Sequence, residues 1–364
     1  MRVLRAVCVP LAVAALLAAG SAQDAVTKVQ AEIQRLQQSL KDNPITEGDP
    51  AEVASMAAST LKSAAEAHSA GRFYLSLEKL GQGEDLLEGA RAGVDKAHLA
   101  KSDFAAFDSE WGAASLRLTA LDKEAHQRQW DGVPLVVRAL SEAAQGKAIP
   151  LLEGSRGFAA ANGPKDGLLY MGEADGEATF SKFCASLNLT AKSKPFPLRS
   201  FLPELQSIQA RTNAAFQPPK SIDLHPRFIA LNSAIKLGQE LDSSRFYAGA
   251  LYQYLEAVRH YAMLDAPPLD AAQQARLKDD LANARQKVAA SADDDSLVQL
   301  FLERADSQIA HADGSAPSAD EWRSSRIILD QVLPAYYAAR KPATPMKKSS
   351  GRTVDITLVR WPYT

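Results

Sequence analysis

One short segment gathers five side chains suited to binding: Tyr247, Tyr252, Tyr254, His260 and Tyr261. Tyrosine pairs an apolar ring with a polar tip, so it serves half-buried seams and recognition surfaces equally well. Tyr247, Tyr254 and Tyr261 recur every seven residues, which puts them on one face of a helix. Two readings stay open. The rings form a packed seam between helices, or they line a groove for a ligand or partner. His260 stands alone among them. The histidines at 68, 98, 126, 225, 260 and 311 never fall three or four residues apart, so no helix presents two imidazoles to a metal. No Cys-x-x-Cys-His occurs, and no cofactor is expected.

The catalytic signatures are missing as well. Gly-x-Ser-x-Gly is absent, and Glu153-Gly-Ser-Arg-Gly157 has the wrong spacing and no strand before it. Ser-x-x-Lys occurs at Ser76–Lys79 and Ser233–Lys236, inside helical patterns and without companion motifs. Neither Gly-x-x-x-x-Gly-Lys nor Gly-x-Gly-x-x-Gly is present, so no phosphate loop is written locally. Asp293-Asp-Asp295 runs straight into Ser296 and an apolar stretch. That suits a helix N-terminus better than a calcium loop. A formal charge of −2 does not fit a general nucleic-acid binder. The leading expectation is a non-catalytic module that binds a protein, a peptide or an envelope component. The alternative is a helical envelope enzyme whose carboxylate pair is spatial and leaves no motif.

The elements that position these residues read as helices almost throughout. Val26, Val29, Ile33, Leu36 and Leu40 step by three or four. Similar patterns cover about 50–67, 72–92, 102–129, 131–144, 150–161, 167–187, 204–216, 226–241, 244–264, 270–290, 296–312 and 318–340. Ser318 and Glu321 form a capping-box pattern. Cys184 sits among apolar residues at helical spacing, Phe180 to Leu187, and is expected to be buried. The fold class is all-α, built of stacked helical hairpins.

Two passages resemble one another: Leu61-Lys-Ser-Ala-Ala-Glu-Ala-His-Ser-Ala-Gly-Arg-Phe-Tyr74 and Ile235-Lys-Leu-Gly-Gln-Glu-Leu-Asp-Ser-Ser-Arg-Phe-Tyr247. Each is a helix, a small-residue turn, Arg-Phe-Tyr and a second helix. Asp166-Gly-Leu-Leu-Tyr170 is a poorer third copy. The pattern loosely resembles the hairpins of tetratricopeptide-like repeats, although the copies are far more than the ~34 residues of a regular array apart. That resemblance implies an irregular α-solenoid with a concave binding face. Phe73, Tyr74, Phe246 and Tyr247 are expected to be mainly core.

Both ends differ from the body. Arg2 and Arg5 precede an apolar run from Ala6 to Ala19, and Gly20-Ser21-Ala22 follows. This is the pattern of an export signal cleaved after Ala22, and it places the mature protein in the periplasm or outside the cell. No membrane span is expected after cleavage. Cleavage removes Cys8 and leaves Cys184 without an internal disulfide partner. The breaks at Lys192–Pro197 and Gln217–Lys220 divide the rest into helical halves at 23–191 and 222–340, joined by 192–221. From Lys341 the chain is basic, and Val354, Ile356 and Leu358 alternate like a strand. A lone strand must pair with a partner chain, fold back on its own body, or stay disordered.

Overall fold

The computed structural model describes residues 8–96, 99, 104–191, 193–218, 221–311 and 314–341. The strand-like tail lies outside the described residues, as does His98. What is described is all-α: α1 (Cys8–Asp42), α2 (Gly48–Ser69), α3 (Phe73–Asp95), α4 (Phe104–Gln127), α5 (Leu135–Asn162), α6 (Pro164–Ala185), α7 (Leu202–Ala215), α8 (His225–Ser243), α9 (Tyr247–Ala262), α10 (Ala271–Ala289), α11 (Ser296–Ile309), α12 (Ala319–Ile327) and α13 (Leu333–Ala339). A single π-turn, Ile328–Val332, links α12 to α13. Among the described residues the β-structure is one isolated bridge, Lys194 with Asp293.

The apolar spacing in the sequence becomes the core. Ala25, Val29, Ile33 and Leu36 of α1 are buried, as the three-and-four steps require. Cys184 is fully buried, and burial holds its thiol well above the usual range. The capping box forms at Ser318 and Glu321, and a second one at Asp270 and Gln273. Pro150, read from sequence as the start of a new helix, lies inside α5 instead. Ala148 and Leu152 on either side of it are buried in one cluster, and that packing carries the helix past the lost backbone bond. The largest apolar cluster draws residues from every helix, α1 to α13.

Helices α3 and α6 meet at backbone distance. A side chain at Gly176 would place its first carbon 2.6 Å from the Asp85 Cα, and one at Gly172 would strike the Glu88 carbonyl. Gly172 and Gly176 are one turn apart, so this small-residue pair sets the approach of the two helices.

The two Arg-Phe-Tyr hairpins are equivalent in structure, but one residue out of step with the sequence match. In α2–α3 the left-handed residue is Gly71, and the Arg72 amide then donates to the Ala67 carbonyl. In α8–α9 the left-handed residue is Arg245 (φ 63°), and the Phe246 amide donates to Leu241. Arg72 therefore corresponds to Phe246, and Glu78 to Tyr252. Phe246 is buried, whereas Phe73, Tyr74 and Tyr247 are half-buried.

Candidate functional site

The same relation recurs at the start of the second helix of each hairpin. Neither α3 nor α9 has a local side-chain cap. Each is capped instead by a buried glutamate from a distant helix. The Leu75 amide donates to Glu303 Oε2 of α11 at 2.8 Å. The Ala248 and Gly249 amides donate to Glu142 Oε2 of α5 at 2.8 and 3.0 Å. Each glutamate is steadied by a residue one turn earlier: Gln299 at 3.0 Å on Glu303, and Arg138 at 2.6 Å on Glu142. A carboxylate at a helix N-terminus answers unpaired amides and the positive end of the helix dipole. These caps fix where α3 and α9 begin, and so fix what projects from their next two turns.

What projects there borders a chamber of about 510 Å³. Helix α3 contributes Glu78, Lys79 and Gln82; α9 contributes Tyr252, Gln253, Glu256, Arg259 and His260; α11 contributes Arg304. Lys147 of α5, Ser233 of α8, Ser307 and Gln308 of α11 and Ser324 of α12 complete the polar lining. Arg304 is the hub. Its Nε donates to Glu78 Oε2 at 2.7 Å, and its terminal nitrogens bond Glu78 Oε1 and Glu256 Oε1. The Tyr252 hydroxyl accepts from Arg304 at 2.7 Å and donates to Glu78 Oε1 at 2.5 Å. Arg259 takes the other oxygen of Glu256, with Nε at 3.1 Å and Nη2 at 2.8 Å. Burial alone would pull the Arg304 guanidinium down to about 9; two carboxylates bonded directly to it oppose that, so it keeps its charge.

The remaining groups are less committed. Lys79 donates to the Gln82 side-chain oxygen at 2.9 Å, and no carboxylate lies within ion-pair distance of it among the described residues. Burial lowers the affinity of its amine for a proton, Glu256 opposes that, and Arg259 adds to it. His260 is lowered by burial and by Arg259, with Glu256 opposing, and its Nε2 lies 3.1 Å from Arg259 Nη2. An imidazole facing a guanidinium at that distance accepts, so the ring is neutral with its proton on Nδ1. Ser324 is buried with its hydroxyl unpartnered, and the buried Gln253 carboxamide has no hydrogen-bond partner among the described residues.

The five residues singled out by sequence part company. Tyr252 and His260 line the chamber. Tyr254 and Tyr261, seven apart and on one face, line a groove of about 1030 Å³ on another side of α9, with the Arg211 guanidinium 4.8 Å over the Tyr261 ring. Tyr247 borders neither cavity. Sequence reasoning missed Glu78, Lys79, Glu256, Arg259 and Arg304. The one local signal was a charge inside an apolar run, as in Leu255-Glu256-Ala257 and Leu302-Glu303-Arg304. Among the described residues no cluster of three or more His, Cys, Asp or Glu side chains suits a metal ion.

No protein-family model matches the chain, and neither a curated protein nor a solved structure matches it. Fold and site define the class: an all-α protein with a polar chamber between two equivalent hairpin helices.

Proposed function

We propose that the protein is an exported, non-catalytic binding protein whose ligand is a small polar molecule held in the chamber between α3 and α9. One observation carries this reading: the chamber is polar and roomy, yet its carboxylates are already engaged. Both oxygens of Glu78 and both of Glu256 accept from guanidinium groups. A general base needs a lone pair facing the proton that it removes. Glu78 and Glu256 each carry a guanidinium nitrogen on both oxygens, so neither presents an oxygen free of a cation to a substrate proton, which favours a site that holds its ligand over one that turns it over. The pre-formed network also suits binding, because little ordering remains to oppose association. Export rests on the Arg2–Ala22 pattern. Helix α1 runs unbroken through Ala22, and among residues whose side chains are described its core contacts begin at Ala25, beyond the expected cleavage point.

Ser233 sits exposed on the chamber wall, so a large side chain there blocks the cavity without entering the core. The test is to purify residues 23–364 from the envelope fraction, denature them and identify the released small molecules by mass spectrometry. Wild type is expected to release a compound that Ser233→Trp does not, with both proteins melting at the same temperature. Equal release from the two proteins overturns the chamber as the site.

A further inference from the structure

The chamber's formal charge does not balance. Helix α3 supplies Glu78 and Lys79, α5 supplies Lys147, α9 supplies Glu256 and Arg259, and α11 supplies Arg304. Lys147 is answered from outside the lining by Glu177 at 2.8 Å. That leaves three cations, Lys79, Arg259 and Arg304, facing two carboxylates, while His260 adds none. The two carboxylates are shared between the guanidiniums, so Lys79 is the cation left over. Its ammonium is half-buried beside a second cation, where water screens poorly and the uncompensated charge is costly. Arg259 also keeps a free valence, since its Nη1 has no acceptor among the described residues. The same lining holds the Ser324 hydroxyl, buried without a partner, and the Gln253 carboxamide, which no described residue hydrogen-bonds; both suit hydroxyl or amide groups on the same ligand.

We infer that the chamber's ligand is a small organic anion, whose carboxylate or phosphate group pairs with Lys79 and Arg259. This rests on the chamber being the binding site and names the class of ligand that it takes. An anion supplies the missing negative charge, gives Lys79 an acceptor and fills the open side of Arg259, whose planar fork suits a two-oxygen group. Lys79 is the specificity residue, because every other cation of the chamber already has a protein partner.

The test titrates the mature chain with citrate, with inorganic phosphate and with glucose as the neutral probe. Heat release and the His260 imidazole resonance are followed together. Citrate or phosphate is expected to bind and glucose is not, and the stronger of the two anions tells carboxylate from phosphate. Adding negative charge beside His260 favours its protonated form, so its pKa is expected to rise in the complex. Lys79→Met should weaken the anion at least tenfold and Lys79→Arg should restore most of it. Neither change should lower the melting temperature of the free protein, because Lys79 makes no ion pair there. Glucose binding that Ser233→Trp abolishes, with no anion preference, overturns the anion class and leaves the chamber standing. Binding of citrate or phosphate that neither Lys79→Met nor Ser233→Trp touches overturns both, as does the failure of all three probes.

Discussion

At the scale of single residues the protein is unusual in how many carboxyl groups it takes out of water. Glu84 is the clearest case. It is 2% exposed, one of its oxygens has no hydrogen-bond partner, and it is pushed up to about 8, by burial first and then by the nearby Glu32, Glu88 and Glu177. Glu173 and Glu303 are each pushed up to about 7, with burial the largest cause. A carboxyl whose folded value lies above its unfolded value binds more protons in the folded chain. Stability from such a group is complete at low pH, and is lost as pH rises from about 4.5 towards 8. All three act in the same direction. The urea midpoint is therefore expected to fall between pH 5.5 and pH 8.0, which chemical denaturation followed by circular dichroism measures directly. Glu84→Gln keeps the shape and removes the ionisation, so it should raise the midpoint most at pH 8.0, by a smaller amount at pH 5.5, and hardly at all near pH 4. A midpoint that climbs with pH in the wild type contradicts this account of the buried acids.

At the scale of elements the two Arg-Phe-Tyr hairpins show what the sequence could and could not convey. Helix spacing, the cap at Ser318 and the buried Cys184 are local properties, and they were legible. The one-residue offset between the hairpins was not, because letters do not reveal that Arg245 occupies the left-handed region taken by Gly71 in the other copy. The glutamate caps of α3 and α9 escaped for a related reason. Glu303 reaches Leu75 across 228 residues and Glu142 reaches Ala248 across 106, so no window of sequence contains either pair. The chamber was invisible on the same ground, since Arg304 and Glu78 are 226 residues apart. The offset carries its own prediction. A non-glycine residue in the left-handed region costs about 1 kcal/mol relative to glycine. Arg245 is exposed and makes no ion pair among the described residues, so Arg245→Gly should gain up to about that amount and raise the melting temperature by a few degrees. Gly71→Arg should cost a similar amount, and calorimetry on the two variants reads both signs. Equal melting temperatures for Arg245→Gly and wild type would mean that the turn carries no strain.

At the scale of the whole molecule the question is whether the chain behaves as two halves or one. The proline-rich breaks suggest a boundary, but the contacts cross it. Asp294, between α10 and α11, accepts the Leu135 amide of α5 at 2.7 Å, and the Glu303 and Glu142 caps of α3 and α9 also join the two sides. The chamber itself needs α3 and α5 from one side of the break and α9, α11 and α12 from the other. One apolar cluster runs from α1 to α13. Separating the halves would strip the caps of α3, α5 and α9, break the Arg304–Glu78 pair and expose that cluster, each a cost of about a kilocalorie per mole or more. The halves are therefore expected to unfold together. Trp111, in the packing around α4, and Trp322, in α12, sit on opposite sides of the break and report on it independently. With the other tryptophans replaced by phenylalanine, each should give the same urea midpoint and the same slope. Two midpoints, with Trp322 melting apart from Trp111, would mean that the contacts across the break are too weak to couple the halves, and that the chamber opens before the fold is lost.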